Sequence, residues 1–198
     1  MCSSDLPEAA VADFNSLRGE TLADRNFFSR VYVHGRRLRS GVNLQWASGP
    51  YSIKSEWLRA AEQRLGVGIQ QQDLPDLLSH GAYLSATWLL TGEKKTDAVR
   101  PKREFLKEGF GAVEIALRYE RLRFESSYNN AIASRSARAT AVMPNSDNAV
   151  TFGLNWYLNR FARIQVNSLR ETLLDSGRAP ISGTRVYWTA VARLQFQM

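Results

Sequence analysis

Cysteine and histidine are almost missing from this chain: its 198 residues include one cysteine, Cys2, and two histidines, His34 and His80. One thiol excludes an intramolecular disulfide, and two imidazoles are too few for the usual zinc clusters. No run of about 18 apolar residues occurs, which excludes membrane-spanning helices. That absence is silent about membrane strands, whose alternation hides them from hydropathy windows. A Gly-rich phosphate loop, a metal cluster and a nucleophile motif are lacking as well, so neither an enzyme nor a cofactor is expected. The opening MCSSDLPEAA shows no basic segment followed by an apolar one, so no export signal is expected within these residues.

What the chain does have is positive charge and alternation. A net charge of +7 and a pI near 9.9 favour anionic partners: nucleic acid, anionic lipid or small anions. Only 44% of the residues are apolar and mean hydropathy is -0.33, yet the length suffices for one domain with a sizeable core. The stretch EKKTDAVRPKRE, from Glu93 to Glu104, reads as a solvated connection, and no nucleic-acid partner is expected from it.

Seven segments alternate with period two, each with one apolar and one polar face. Leu38, Val42, Leu44 and Trp46 oppose Arg37, Arg39, Asn43 and Gln45, and after a tight turn at Gly49-Pro50, Tyr51, Ile53 and Trp57 oppose Ser52, Lys54 and Glu56. GAYLSATWLL, beginning at Gly81, sets Leu84 and Trp88 against Tyr83 and Thr87, and GAVEIALRYE sets Val113, Ile115 and Leu117 against Glu114, Arg118 and Glu120. TFGLNWYLNRFARIQVN, from Thr151 to Asn167, is a hairpin turning at Asn159-Arg160, with Phe152, Leu154, Trp156, Ile164 and Val166 on one face and Arg163 on the other. RVYWTAVARLQFQM closes the chain with Trp188, Leu194, Phe196 and Met198 opposing Arg185, Arg193 and Gln197. A weaker strand is expected around Val11 to Leu17, and single helical turns at Asp73 to Leu78 and within REFLKEG.

Two architectures suit this pattern. In a soluble or periplasmic β-sandwich binding an anionic polymer or a protein partner, the apolar faces cover one another. In a membrane barrel they face lipid while the polar faces line water. All five tryptophans, Trp46, Trp57, Trp88, Trp156 and Trp188, fall on the apolar face, and several lie near strand ends together with Tyr51 and Phe196, as an aromatic girdle at a lipid interface requires. The opposite face carries Arg37, Arg39, Lys54, Arg118, Arg163, Arg185 and Arg193 with Glu56, Glu114 and Glu120. Long arginines at strand centres suit a wet lumen, because burial without partners is costly. The connection from Thr91 to Gly109 is longer than an alternation of short turns and long loops allows.

GAYLSATWLLTGEKK, GFGAVEIALRYERL and VTFGLNWYLNRFARIQVN resemble, in this order, successive motifs of the phosphate-selective porin O/P family, and GPYSIKSEWLR fits the hairpin upstream. The resemblance covers residues 37–198 as the C-terminal part of a porin barrel domain. Residues 7–36 read as a weak strand with an extracellular loop, and residues 1–6, with their CSSDL, as sequencing adapter. It implies an antiparallel transmembrane β-barrel of sixteen strands, here its last seven or eight, forming a homotrimer in the outer membrane of a Gram-negative bacterium. Small inorganic anions, outer-membrane lipid and the outer-membrane assembly machinery are the implied partners. The long loops at 67–80, 125–147 and 172–182 become extracellular and the tight turns periplasmic. In that family the last strand usually ends in phenylalanine, a place taken here by Met198, while Phe196 and Leu194 keep the apolar alternation.

Overall fold

A computed structural model describes residues 15–20, 26–95, 99–105, 107, 109–126, 145–178 and 183–196. All seven alternating segments are strands. A hairpin of β1 (Asn15–Glu20) and β2 (Asn26–Val33) precedes β3 (Arg37–Ser48), β4 (Tyr51–Arg64), β5 (Leu74–Leu89), β6 (Ala112–Ser126), β7 (Asn145–Tyr157), β8 (Ala162–Leu173) and β9 (Val186–Phe196). Strands β3 to β9 form one antiparallel sheet in chain order, and β1 pairs only with β2 among the described residues. Every strand of the large sheet has at least 11 residues, which meets the roughly 9–11 that a tilted membrane strand needs. Cys2, residues 1–6, Gln197, Met198 and most of the 125–147 loop lie outside the described residues.

Local chemistry accounts for the two tight turns. Ser48 pairs with Tyr51 across Gly49-Pro50, and Gly49 takes φ 54, the left-handed first position that two-residue hairpins reserve for glycine. At the other turn the Asn159 side chain accepts hydrogen bonds from the backbone N–H groups of Phe161 and Ala162 at 2.8 and 2.9 Å, which closes the corner.

The helical turn expected at Asp73 to Leu78 is instead the start of β5. Pro75 cannot donate to a ladder, and the β4–β5 register slips between Glu62 and Arg64, where Pro75 faces the irregularity rather than a regular pair. Leu77 then enters an apolar cluster that rewards the extended form.

Register assigns the faces. One continuous row runs Trp46, Ile53, Ala86, Leu117, Phe152, Ser168, Ala190, and its neighbour runs Gln45, Lys54, Ser85, Arg118, Thr151, Leu169, Thr189. The first belongs to an apolar face and the second to a polar one. On the apolar face Leu38, Val42, Leu44, Trp46, Leu84, Phe152, Trp188 and Leu194 are all exposed, and no second layer of the described residues covers them. The packed residues lie on the polar face, at its two ends. Val31 and Val33 of β2 cover Leu77, Phe124, Leu173 and Tyr187 where the long loops leave the sheet, and Val99 covers Leu89, Ala112 and Tyr157 where the tight turns are. This is the inverse of a sandwich, whose core would lie on the tryptophan side.

Candidate functional site

The aromatic side chains of the apolar face do not follow the hydrogen-bonded rows. Trp46 lies two residues from the end of β3 at Ser48, whereas its row reaches Ala190, six residues short of Phe196 at the end of β9. Trp46, Tyr51, Trp88, Trp156 and Phe196 therefore descend a diagonal across the sheet. Six residues of about 3.3 Å over six strand spacings of about 4.8 Å make a slope of about 35°. A barrel strand tilts by roughly that angle from its axis, so the diagonal has the slope that a flat interface would draw across a sheet tilted in that way. Tyr51 stacks on Trp88 with centroids 5.9 Å apart, and Trp156 stacks on Phe110 at 5.0 Å while donating its indole N–H to the Phe110 carbonyl at 2.6 Å. Trp57, Tyr119 and Trp188 form a second group toward the loop end.

All the cations singled out from the sequence in strands occupy the opposite face: Arg37 and Arg39 on β3, Lys54 on β4, Arg118 on β6, Arg163 on β8 and Arg193 on β9. Arg185 stands one residue before β9, where its carbonyl accepts the Leu173 N–H at 2.9 Å, so it flanks the strand rather than occupying it. Glu56, Glu114 and Glu120 share the polar face as well.

These charges differ in how they are engaged. Arg37 and Arg39 of the edge strand β3 converge on Glu62, buried on β4, at 2.7 and 3.3 Å. Arg118 pairs with Glu120 at 2.7 Å and lies over the Tyr83 ring at 3.9 Å. Arg163 donates twice to the Gln195 amide oxygen, at 3.1 and 2.8 Å, so its charge is oriented without being neutralised. Lys54 and Arg193 have no hydrogen-bond or ion-pair partner among the described residues. Glu114 was expected as an open wall charge, but it is buried. It accepts from Tyr157 Oη at 2.8 Å and Asn155 Nδ2 at 2.9 Å, and it forms an ion pair with Lys95.

Lys95 comes from the connection that broke the pattern of turn lengths, and that connection is more than a solvated loop. It folds back under the turn end of the polar face: Lys95 N–H donates to the Gly49 carbonyl at 2.7 Å, Phe105 N–H to the Leu158 carbonyl at 2.8 Å, and Val99 is buried between them. Glu93, also buried, binds the Thr91 hydroxyl and the Lys102 N–H and so holds the segment's own shape. The fold-back leaves a cavity of about 360 Å³ lined by Lys54, Lys95, Arg160, Arg163, Ser52 and Gln195. Four cations border this space and no carboxylate is among its described lining residues; one of the four, Lys95, is engaged by Glu114.

Sequence reasoning missed Lys95, Arg160, Glu62 and four arginines of the apolar face, Arg59, Arg121, Arg123 and Arg170. Alternation carried past each aromatic residue would have found Arg59 and Arg121, since they stand two positions beyond Trp57 and Tyr119. Nothing in strand periodicity announces Lys95, because a connection has no face.

Comparison with known proteins agrees with this geometry. Residues 18–198 match the family model described as phosphate-selective porin O and P. Porin O of Pseudomonas aeruginosa is 27% identical over 132 residues, which are 63% of this chain and 27% of that protein, so the match spans about a quarter of the relative's length.

Proposed function

The chain belongs to the phosphate-selective porin O and P family, a family of the Gram-negative outer membrane, and from that premise we propose that its polar face lines the aqueous lumen of a channel for passive diffusion of small inorganic anions, phosphate among them. The apolar face then meets outer-membrane lipid. Strands β3 and β9 join the rest of the barrel through the edges that are unpaired among the described residues, and the whole assembles as a homotrimer through the outer-membrane assembly machinery. In this reading Arg37, Arg39, Lys54, Arg118, Arg163, Arg185 and Arg193 supply the positive field, with Glu56 and Glu120 damping it.

The observation that carries the reading is the pair of cations without a carboxylate partner among the described residues, Lys54 and Arg163, beside the turn-end cavity. Diffusion needs sites that attract an anion yet release it, and oriented but unpaired cations at a wet surface do both. Strong burial would trap the ion. The diagonal of aromatic side chains supports the membrane setting independently of any charge, and the uncovered tryptophan face disfavours the soluble sandwich.

The test is reconstitution of the full-length protein in planar bilayers under a salt gradient. A reversal potential of the anion-selective sign is expected, with Lys54→Glu and Arg163→Glu each moving it toward zero and weakening the block of chloride current by phosphate. Cation preference in the unmodified protein would end the proposal. Folding in water as a compact monomer without detergent would favour the sandwich.

A further inference from the structure

We propose that the apolar face ends, on its loop side, in a belt of guanidinium groups that holds the phosphates of lipid headgroups. The inference rests on the membrane reading above. Register puts Arg59, Arg121, Arg123 and Arg170 on the tryptophan face and not on the face assigned to the lumen. Arg59 pairs with His80, His80 with Arg123, Ala82 links Trp57 to Arg121, and Arg170 pairs with Trp188. All four arginines are exposed.

Their height agrees with a headgroup layer. On β4, Tyr51 of the turn-end diagonal is eight residues from Arg59, and on β8, Ala162, the partner of Phe196, is eight residues from Arg170. Eight residues measure about 26 Å along a strand and about 22 Å once tilted, close to the roughly 25 Å of an outer-membrane apolar band. The arginines therefore begin where the hydrocarbon ends. An arginine facing lipid is costly at the midplane and nearly free at the interface, and there it needs a counter-charge.

The described residues supply little of that counter-charge. Glu125 is held by Arg123 through two hydrogen bonds, at 3.0 and 2.7 Å, and lies 3.8 Å from His80. Arg170 reaches only the Thr172 hydroxyl, at 3.4 Å. Arg59 and Arg121 have no hydrogen-bond or ion-pair partner among the described residues. A guanidinium offers a planar fork of donors matched to a phosphate, and the rings of Trp57 and Tyr119 just below, with Trp188 at the level of Arg170, suit the junction of acyl chain and headgroup. At the turn end the strands present on the same face Trp46, Tyr51, Trp88, Trp156 and Phe196, with no cation between them among the described residues. The belt is thus specific to one leaflet, the one at the loop end.

Full-length protein in detergent, offered phosphatidic acid and phosphatidylcholine in equal amounts, is examined by native mass spectrometry. Retained lipid should be enriched in phosphatidic acid, and Arg59→Gln and Arg121→Gln should each cut the enrichment about fivefold, the factor a surface cation contributes near anionic lipid. Arg59→Lys, which keeps the charge and loses the fork, should fall between and guards against a folding defect in the glutamine variant. Equal retention of both lipids by the unmodified protein overturns the belt. So does enrichment abolished by millimolar inorganic phosphate, which would mean a free-anion site, or glutamine variants that keep the enrichment and lose the oligomer, which would mean a subunit contact. Bilayer selectivity measured on the same preparations separates the two readings: anion selectivity without lipid enrichment overturns the belt alone, and cation selectivity with enrichment overturns the lumen alone.

Discussion

At the loop end of the polar face two valines of β2, Val31 and Val33, lie on Leu77, Phe124, Leu173 and Tyr187, while at the turn end a single valine, Val99, covers Leu89, Ala112 and Tyr157 beside an ion pair of Lys95 with Glu114. Both covers come from outside the seven-stranded sheet, and both lie on the face that otherwise carries charge. The difference lies in what holds them. An apolar cover depends on excluded surface alone, whereas a cover fastened by a buried ion pair depends on both partners remaining charged. Each end of the polar face is thus covered by a different physical means, and the charged middle lies between them.

The strongest way to break the comparison is to put a charge under the loop-end cover. Leu77 is fully buried, and Leu77→Asp strands a carboxylate among Val31, Val33 and Phe124, a penalty of about 4 kcal/mol or more against the covered state. The β1–β2 hairpin should leave the sheet. In planar bilayers the full-length variant should then show a larger single-channel conductance than the unmodified protein, and its current noise should rise. An unchanged conductance would mean that the hairpin does not narrow the path.

The turn end should respond less and in a diagnostic pattern. Lys95→Met leaves Glu114 buried with Tyr157 and Asn155 as its remaining partners, and breaking one side of such a pair costs about 3 kcal/mol. Replacing both, Lys95→Met with Glu114→Leu, should recover most of that loss, because two apolar groups need no partners. Denaturant unfolding of the refolded protein in detergent, followed by tryptophan emission, measures the cycle. A double variant as weak as the single one would show that the backbone contacts of the connection, not the ion pair, fasten the turn end.

These two covers also mark the limit of what was legible in the chain. The seven strands, their hairpins and both faces followed from alternation, because a period of two is imposed on every residue between the turns, and Trp46 or Arg118 states its face by its place in that count. The cover of the loop end was hidden for the opposite reason: Leu77 and Phe124 break the alternation of polarity, being apolar residues on a polar face, and Pro75 disguised the start of β5 as a helical turn. Lys95 and Val99 were hidden because they belong to a connection, where no periodicity assigns a direction. The arginines of the apolar face sat in plain alternation, yet a reading that sends every cation to the lumen passes over Arg59 and Arg121.

The smallest expected effect sharpens the turn end further, within the connection itself. Lys107 donates to Glu104 at 2.8 Å, and this hydrogen bond, with the charges of Lys107 and Arg160 beside it, holds the Glu104 carboxyl below its ordinary range. A depressed carboxylate contributes stability that is present above its unfolded pKa and is lost as pH falls through the lower folded value. Nothing should therefore change between neutral pH and mildly acid conditions, and order in the connection should decline only once the medium is more acid than an ordinary glutamate. Both side chains are open to water, so the decline should be slight and should shrink in high salt. Amide exchange of the connection measured against pH reads it directly, and Lys107→Gln should remove the acid-dependent part. A loss of order already at mildly acid pH would show that the contact between Lys107 and Glu104 does not set the acid response of the connection.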